Sequence, residues 1–296
     1  MGIAAICGAS IWGVAWYRSR SLTTAALLRR MPAQDAVVAY IDFSALRRAG
    51  ILRLLDGSKA GEDPEYQNFV RQTQFDYQED LDSAMVAFAP TGRFLLVQGR
   101  FDWKSLHTYV ESQDGTCFNS FCRMTGSTPD RRISFFPVRS NLMALAVSPD
   151  ESAALRLSSA PAGPDPQVPD APVWLSIPTS VLKSSDSLPA GTRMFAHSME
   201  RAESVTLAFA PEGHGLAARL DVRCRNERDA ADLASQLTHT TSLLRETMER
   251  EHQKPNSADL SGVLTAGAFR SEGRRVLGYW PIEPAFVQNV LGGSAP

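Results

Sequence analysis

Cys117 and Cys122 are the side chains whose spacing most directly suggests chemistry. They lie five residues apart in the segment Gly115–Cys122, which we interpret as a polar loop. The spacing is neither a Cys-x-x-Cys pair nor a paired zinc pattern, and we predict no metal and no cofactor. Two interpretations stay open: a disulfide that closes the loop, which indicates an oxidising compartment, or two free thiols.

The other titratable residues form no catalytic pattern. The five histidines include no i,i+4 pair and no His-Glu-x-x-His motif. Asp76, Glu79, Asp80 and Asp82 form the densest acidic group, but their spacing is not that of an EF-hand loop, and acidic residues in the first turn of a helix explain them more simply. A nucleophile elbow, a P-loop and a dinucleotide fingerprint are also missing from the sequence. We therefore predict no catalytic residue.

The charge balance disfavours nucleic acid as a partner. The chain has 30 Lys and Arg against 32 Asp and Glu, a net charge of −2, with no block of five like charges. A nucleic-acid-binding protein would usually carry a basic stripe.

The elements that must position these residues occur twice along the chain. The segment Ala87–Gly92, AFAPTG, returns 121 residues later as Ala208–Gly213, AFAPEG. Such a long-period repeat indicates a duplicated body. The flanking stretches agree in order and type, Tyr40–Leu46 with Ser176–Leu182 and Leu145–Pro149 with Leu277–Pro281.

The N-terminal segment predicts a membrane anchor over residues 1–20. Met1–Tyr17 carries no charged side chain, and its length is at the short end of a membrane-spanning helix. Trp12 and Trp16 lie near one end, as in an interfacial aromatic belt, and Arg18 and Arg20 follow. A cleaved signal peptide or a buried helix is the alternative, although no basic region precedes the apolar run.

The two signals for orientation disagree. Arg18, Arg20, Arg29 and Arg30 all follow the apolar segment, which by the positive-inside rule places the body in the cytoplasm. A Cys117–Cys122 bridge, or basic residues upstream of this start, would favour the outside. We predict a single-pass protein of the cytoplasmic (inner) membrane, in contact with lipid through its N-terminal helix, with an extracytoplasmic body.

The rest of the chain predicts an α+β fold. Residues 158–172 hold five prolines and indicate an extended linker between a first repeat at 21–157 and a second at 173–296. Each repeat alternates hairpins with helices, so we expect two tandem pseudo-repeats of mainly antiparallel sheet with helices on one face.

A long helix in the second repeat offers a candidate partner surface. Asn226 caps it, and Leu237, Leu244 and Met248 recur at helical spacing. Either this stripe packs on its own sheet, or its extra turns contact a partner. Trp103 and Trp280 occur at equivalent strand ends and either close the core or line a partner groove.

The anchor, the duplication and the missing catalytic motifs together favour one function. We expect a membrane-anchored, non-catalytic binding or assembly component of the bacterial cell envelope, with a protein partner. A membrane-anchored hydrolase with a site between the two repeats is the main alternative, and a small accessory subunit of a larger membrane complex is another.

Overall fold

The computed structural model describes residues 22–52, 64–126, 128, 131–182, 198–199, 202–213 and 215–291. Over these residues the chain is a mixed α+β fold dominated by antiparallel sheet, as the alternating hairpins and helices predict. The anchor predicted at 1–20 lies outside them. None of the helices described is both long enough and apolar enough to cross a membrane.

Helices and strands are numbered here in chain order. The helices are α1 (Thr24–Leu28), α2 (Phe43–Arg48), α3 (Pro64–Thr73), α4 (Tyr77–Asp80), α5 (Trp103–Ser112), α6 (Thr179–Leu182), α7 (Glu227–Arg250), α8 (Leu260–Thr265) and α9 (Pro284–Leu291), with a 3-10 helix at Ala153–Leu157. The strands are β1 (Val37–Asp42), β2 (Leu81–Ala89), β3 (Gly92–Gly99), β4 (Thr116–Phe118), β5 (Phe121–Thr125), β6 (Arg132–Arg139), β7 (Leu142–Ser148), β8 (Val173–Ile177), β9 (Ser204–Glu212), β10 (Gly215–Arg223), β11 (Ala268–Glu272) and β12 (Arg275–Ile282).

The chain forms two compact units, each built from two stretches of sequence. The first unit holds the described residues of 1–32 and 68–168, and the second holds those of 33–67 and 169–296. Residues 33–67, which the sequence repeat places in the first copy, therefore group with the second unit. The reason is β1, which pairs antiparallel with β8 along Val38–Ile41.

The first unit has the strand order β2-β3-β7-β6-β5-β4, and every neighbouring pair is antiparallel. On one face, Leu106 and Val110 of α5 pack against Phe135 of β6 and Cys122 of β5. This apolar contact holds the helix on the outer part of the sheet.

The opposite face of this unit is also covered. β3 carries a continuous apolar run, and its Phe94 and Leu96 are fully buried on the face away from α5. The 3-10 helix lies on that face, where the backbone N–H of Ala154 donates to the hydroxyl of Ser134 at 3.3 Å. The expectation of helices on one face is therefore wrong for this unit, because a strand that is apolar on both sides needs cover on both.

The second unit has the order β1-β8-β9-β10-β12-β11, again antiparallel throughout. The side chain of Asn226 accepts from the N–H of Asp229 at 2.8 Å and begins α7, as the sequence predicts. Helix α7 buries Leu233 and Leu237 in the apolar core on one face of the sheet. The other face carries exposed ion pairs on β9 and β10, such as Arg219 with Glu212 at 3.4 Å, and large buried side chains on β8 and β1.

The proline-rich segment 158–172 is held in place at its first half. Just after α1, the guanidinium of Arg30 donates to the carbonyl of Ser158 at 2.8 Å. That of Arg29 donates to the carbonyl of Gly163 at 2.8 Å and pairs with Asp165 at 3.2 Å. A stretch with few backbone donors of its own thus has its acceptors satisfied by side chains.

Candidate functional site: a disulfide-bonded aromatic edge

Strands β4 and β5 form a tight hairpin. Asn119 and Ser120 make its turn, with φ of 47° and 66°. A turn of this kind matches the twist of paired strands, and Asn adopts positive φ more readily than most residues. The prediction of a loop over Gly115–Cys122 is therefore wrong at Thr116–Phe118 and Phe121–Cys122, where the chain forms strands.

A disulfide joins the two strands of this hairpin. Cys117 and Cys122 are directly opposite each other, their Cα atoms are 4.1 Å apart, and their sulfur atoms are bonded. Cys122 is fully buried and Cys117 half-buried. Because β4 is the last strand of its unit, the bond fixes the outermost end of the sheet.

Helix α5 packs closely on the hairpin. Asp102 caps the helix by accepting from the N–H groups of Lys104 and Ser105 and from the Ser105 hydroxyl at 2.8 Å. These hydrogen bonds, led by that of the hydroxyl, lower the pKa of Asp102. At the other end, Gly115 donates its N–H to the carbonyl of Val110 at 2.9 Å, and a Cβ at Gly115 would lie 2.5 Å from that side chain. The hairpin thus begins against the last turn of the helix.

Phe118, Phe121 and Phe136 form a row across β4, β5 and β6, which we call the aromatic row. Phe118 lies directly opposite Phe121, and the ring centroids of Phe121 and Phe136 are 6.3 Å apart. The row faces away from α5, since the alternate residues Cys122 and Phe135 contact that helix. Phe118 is 76% exposed, whereas the other two rings are half-buried.

A set of ion pairs borders the aromatic row. Glu151 pairs with Arg132 at 2.9 Å and with Arg123 at 3.4 Å. All three side chains are nearly half exposed, so these pairs contribute little to stability. They leave a polar border beside an apolar strip.

Most of the residues predicted to form a partner surface lie in the interior. Leu237 is fully buried, and Met248 and Trp280 are only 7% and 8% exposed. Leu244 and Trp103 are half-buried, and the indole N–H of Trp103 donates to the carbonyl of Ser140 at 3.0 Å. Leu237, Met248 and Trp280 therefore offer no surface to a partner, and the apolar stripe of α7 packs on its own sheet.

No protein-family model matches the chain, and no curated protein sequence matches it. Solved structures match it over most of its length. The fold resembles that of TP0453. Crystal form III of TP0453 has a TM-score of 0.53 and 12% identity, covering 92% of this chain and 99% of that chain. Crystal form I has a TM-score of 0.51 and 13% identity, covering 92% of this chain and 100% of that chain. At such identity the likeness to TP0453 shows the fold alone.

The acidic group at 76–82 has a structural role at its first and third members. Asp76 caps α4 by accepting from the N–H of Gln78 at 2.8 Å. Asp80 accepts from the N–H of Asp76 at 2.9 Å and pairs with Arg100 at 2.9 Å. These contacts fit the interpretation that the acidic residues begin a helix.

Among the histidines, His107 has the most unusual surroundings. It lies on α5, and one of its ring nitrogens and the sulfur atoms of Cys117 and Cys122 are all within 4.8 Å of one another. Its Nε2 is buried and makes no hydrogen bond. His239 and His252 are exposed, while His197 and His214 lie outside the described residues.

Proposed function

We propose that this chain is a membrane-anchored, non-catalytic component of the bacterial cell envelope that binds a protein partner through the aromatic row. The observation that carries the proposal is Phe118, an aromatic side chain 76% exposed at the tip of a hairpin. The neighbouring disulfide between Cys117 and Cys122 fixes that hairpin at the end of the sheet.

The aromatic row has the physical features of a binding surface. Buried aromatic side chains supply much of the free energy of protein association. A ring on a cross-linked hairpin loses little conformational entropy when it binds, so less of that free energy is offset. Phe121 and Phe136 continue the apolar surface behind Phe118, and Arg123 and Glu151 border it with polar groups. An apolar centre with a polar rim is the usual anatomy of an interface.

We also propose that residues 21–157 and 173–296 are tandem pseudo-repeats joined by the proline-rich segment 158–172. In each, a hairpin (β2–β3 or β9–β10) precedes a helix (α5 or α7), and its second strand pairs with the last strand of a later hairpin (β6–β7 or β11–β12).

Strand pairing aligns Gly92 with Gly215, because Gly92 pairs with Ala89 and Gly215 with Glu212 where each hairpin turns. The structural offset there is thus two residues larger than the sequence offset, which aligns Gly92 with Gly213.

The anchor and the orientation complete the proposal. The uncharged stretch over residues 1–17, followed by Arg18 and Arg20, supports a single membrane helix at 1–20. The Cys117–Cys122 disulfide supports an extracytoplasmic body, because disulfides persist mainly in oxidising compartments. Lipid is then the partner of the first segment, and a protein is the partner of the aromatic row.

Phe118→Ser should weaken the partner complex by about 30-fold or more, the effect of losing an interface hot spot. The matched control is Phe88→Ser, which removes another exposed phenylalanine of the same unit, 45% exposed and outside the aromatic row. We would purify the tagged chain and both variants from their own membranes in mild detergent and compare native masses and co-eluting proteins.

The wild-type chain and the Phe88 variant should retain one stoichiometric partner that the Phe118 variant loses. Purification of the wild-type chain as a lone particle near 32.3 kDa plus detergent would contradict an assembly role. Equal loss of the partner in both variants would contradict the assignment to the aromatic row.

Deletion of residues 1–20 should move the chain from the membrane fraction to the soluble fraction, because it removes the uncharged stretch on which the proposed anchor depends. The measurement is sedimentation of cell extracts followed by circular dichroism of the soluble form. Replacing Arg18 and Arg20 by Gln is the control, since it should leave the chain in the membrane. Membrane association of a folded, shortened chain would mean that the body itself contacts lipid.

A further inference from the structure

His107, Cys117 and Cys122 form a compact group of metal-ligating side chains. Helix α5 supplies the imidazole, and the two strands of the β4–β5 hairpin supply one sulfur each. All three ligand atoms lie within 4.8 Å of one another. It is the one group of three such residues among the described parts of the chain that meets this spacing.

The unpartnered nitrogen of His107 requires an explanation. Its Nε2 has no hydrogen-bond partner although the atom is buried. Buried polar atoms in folded proteins nearly always have a partner, and an ordered water, an ion or a redox role accounts for many exceptions. A disulfide sulfur is a poor hydrogen-bond partner and a poor ligand, whereas a thiolate is a strong ligand.

We propose that reduction of the Cys117–Cys122 disulfide creates a binding site for a thiophilic divalent cation such as Zn(II), with His107 as the third ligand. The disulfide takes two electrons and two protons from a dithiol reductant, which is itself oxidised to a disulfide, and becomes two thiols. The cation then binds both sulfurs as thiolates, and the two thiol protons are released to solvent. The disulfide and the metal complex exclude each other, so the site is controlled by the redox state.

The geometry suits such a cation. Zinc binds thiolate at about 2.3 Å, which places two sulfurs of one site about 4 Å apart, farther than in the disulfide. Because the two cysteines are directly opposite on a hairpin, their sulfurs can separate by side-chain rotation once the bond is broken. Water would fill the fourth position of a tetrahedral zinc site.

The charge of the complex also suits its surroundings. Apolar side chains, including Phe69, Trp103 and Met124, pack against the buried cluster that contains Cys122. Two thiolates alone would place two negative charges in this environment, at a high cost in free energy. Two thiolates, a neutral imidazole and a divalent cation sum to zero charge, which favours Zn(II) over a monovalent cation at this site.

The test is a Zn(II) titration of the full chain in mild detergent, without oxygen, against a chromophoric chelator. Cys7→Ala and Cys224→Ala in every sample remove the other two cysteines of the sequence, so that only Cys117 and Cys122 can supply thiolates. The chain reduced with a phosphine should bind one Zn(II), and the oxidised chain should bind at least about 100-fold more weakly. Cd(II) should give a thiolate charge-transfer band in the reduced chain only.

Variants separate the three ligands from general effects. Cys117→Ser with Cys122→Ser should abolish the band, and His107→Asn should keep the band but weaken Zn(II) binding at least about tenfold. His239→Asn, an exposed histidine on α7, should change neither. Equal Zn(II) affinity of the reduced wild-type chain and the double serine variant would overturn the site, and unchanged affinity in folded His107→Asn would overturn the third ligand.

Discussion

Trp174→Ala should lower the free energy of unfolding of the second unit by about 3–5 kcal/mol. Trp174 is 1% exposed and is the largest of the fully buried side chains in the described residues. It lies opposite Tyr40 in the β8–β1 pair, with ring centroids 5.8 Å apart in a stacked arrangement. The cavity left by the indole cannot close easily, because strands on both sides of β8 hold its backbone.

Trp174→Phe is the matched control. The indole N–H of Trp174 is buried without a hydrogen-bond partner, so a phenyl ring removes an unsatisfied donor while filling most of the space. Trp174→Phe should therefore lower the free energy of unfolding much less than Trp174→Ala. The measurements are chemical unfolding and hydrogen exchange of the full chain in mild detergent, where Trp174→Ala should reduce protection in β1, β8 and β9. Reduced protection in β6 and β7 alone would contradict the grouping of β1 with the second unit.

Local patterns in the sequence predict many of the elements. Asn226 and the apolar spacing that follows it predict α7, and Pro-Thr-Gly predicts the turn before Gly92. The pairing of β1 with β8 is different, because it joins residues about 135 positions apart by matching backbone groups that any sequence carries. No local signal distinguishes that partner from another strand, so the grouping of residues 33–67 could not be predicted.

The candidate site was harder to predict for a related reason. Asn119 and Ser120 between two phenylalanines and two cysteines are a usable hairpin signal, although a sequence of polar and small residues also fits a loop. Whether the Phe118 side chain is exposed depends on where the hairpin lies in the sheet, and the sequence does not specify that position. Leu237 and Trp280 were candidates because large apolar residues dominate cores and interfaces alike, and only the fold shows which of the two they serve.

Gly92→Ala should lower the free energy of unfolding by about 3 kcal/mol or more, with a smaller loss for Gly215→Ala. Gly92 has φ of 142°, which only glycine adopts readily, and a Cβ there would lie 2.6 Å from the carbonyl oxygen of Val147. A Cβ at Gly215 would lie 2.5 Å from the carbonyl oxygen of Ile282, but its φ is not positive. Overpacking of this kind costs about 1–3 kcal/mol.

Gly213→Ala is the control that tests the repeat. Gly213 is the sequence counterpart of Gly92 in the second copy of the hexapeptide. A Cβ there would meet open space, so alanine would lower the free energy of unfolding only through the strain of a φ of 59°, by about 1 kcal/mol. Chemical unfolding of the three variants should therefore rank Gly92 first, Gly215 second and Gly213 last. A Gly213 variant less stable than the Gly215 variant would favour the sequence offset of 121 over the structural one. The neighbouring strand explains this ranking. β7 brings a carbonyl oxygen against Gly92, the first residue of β3, and β12 brings one against Gly215, the first residue of β10. Gly213 lies at the hairpin tip, where no neighbouring strand approaches.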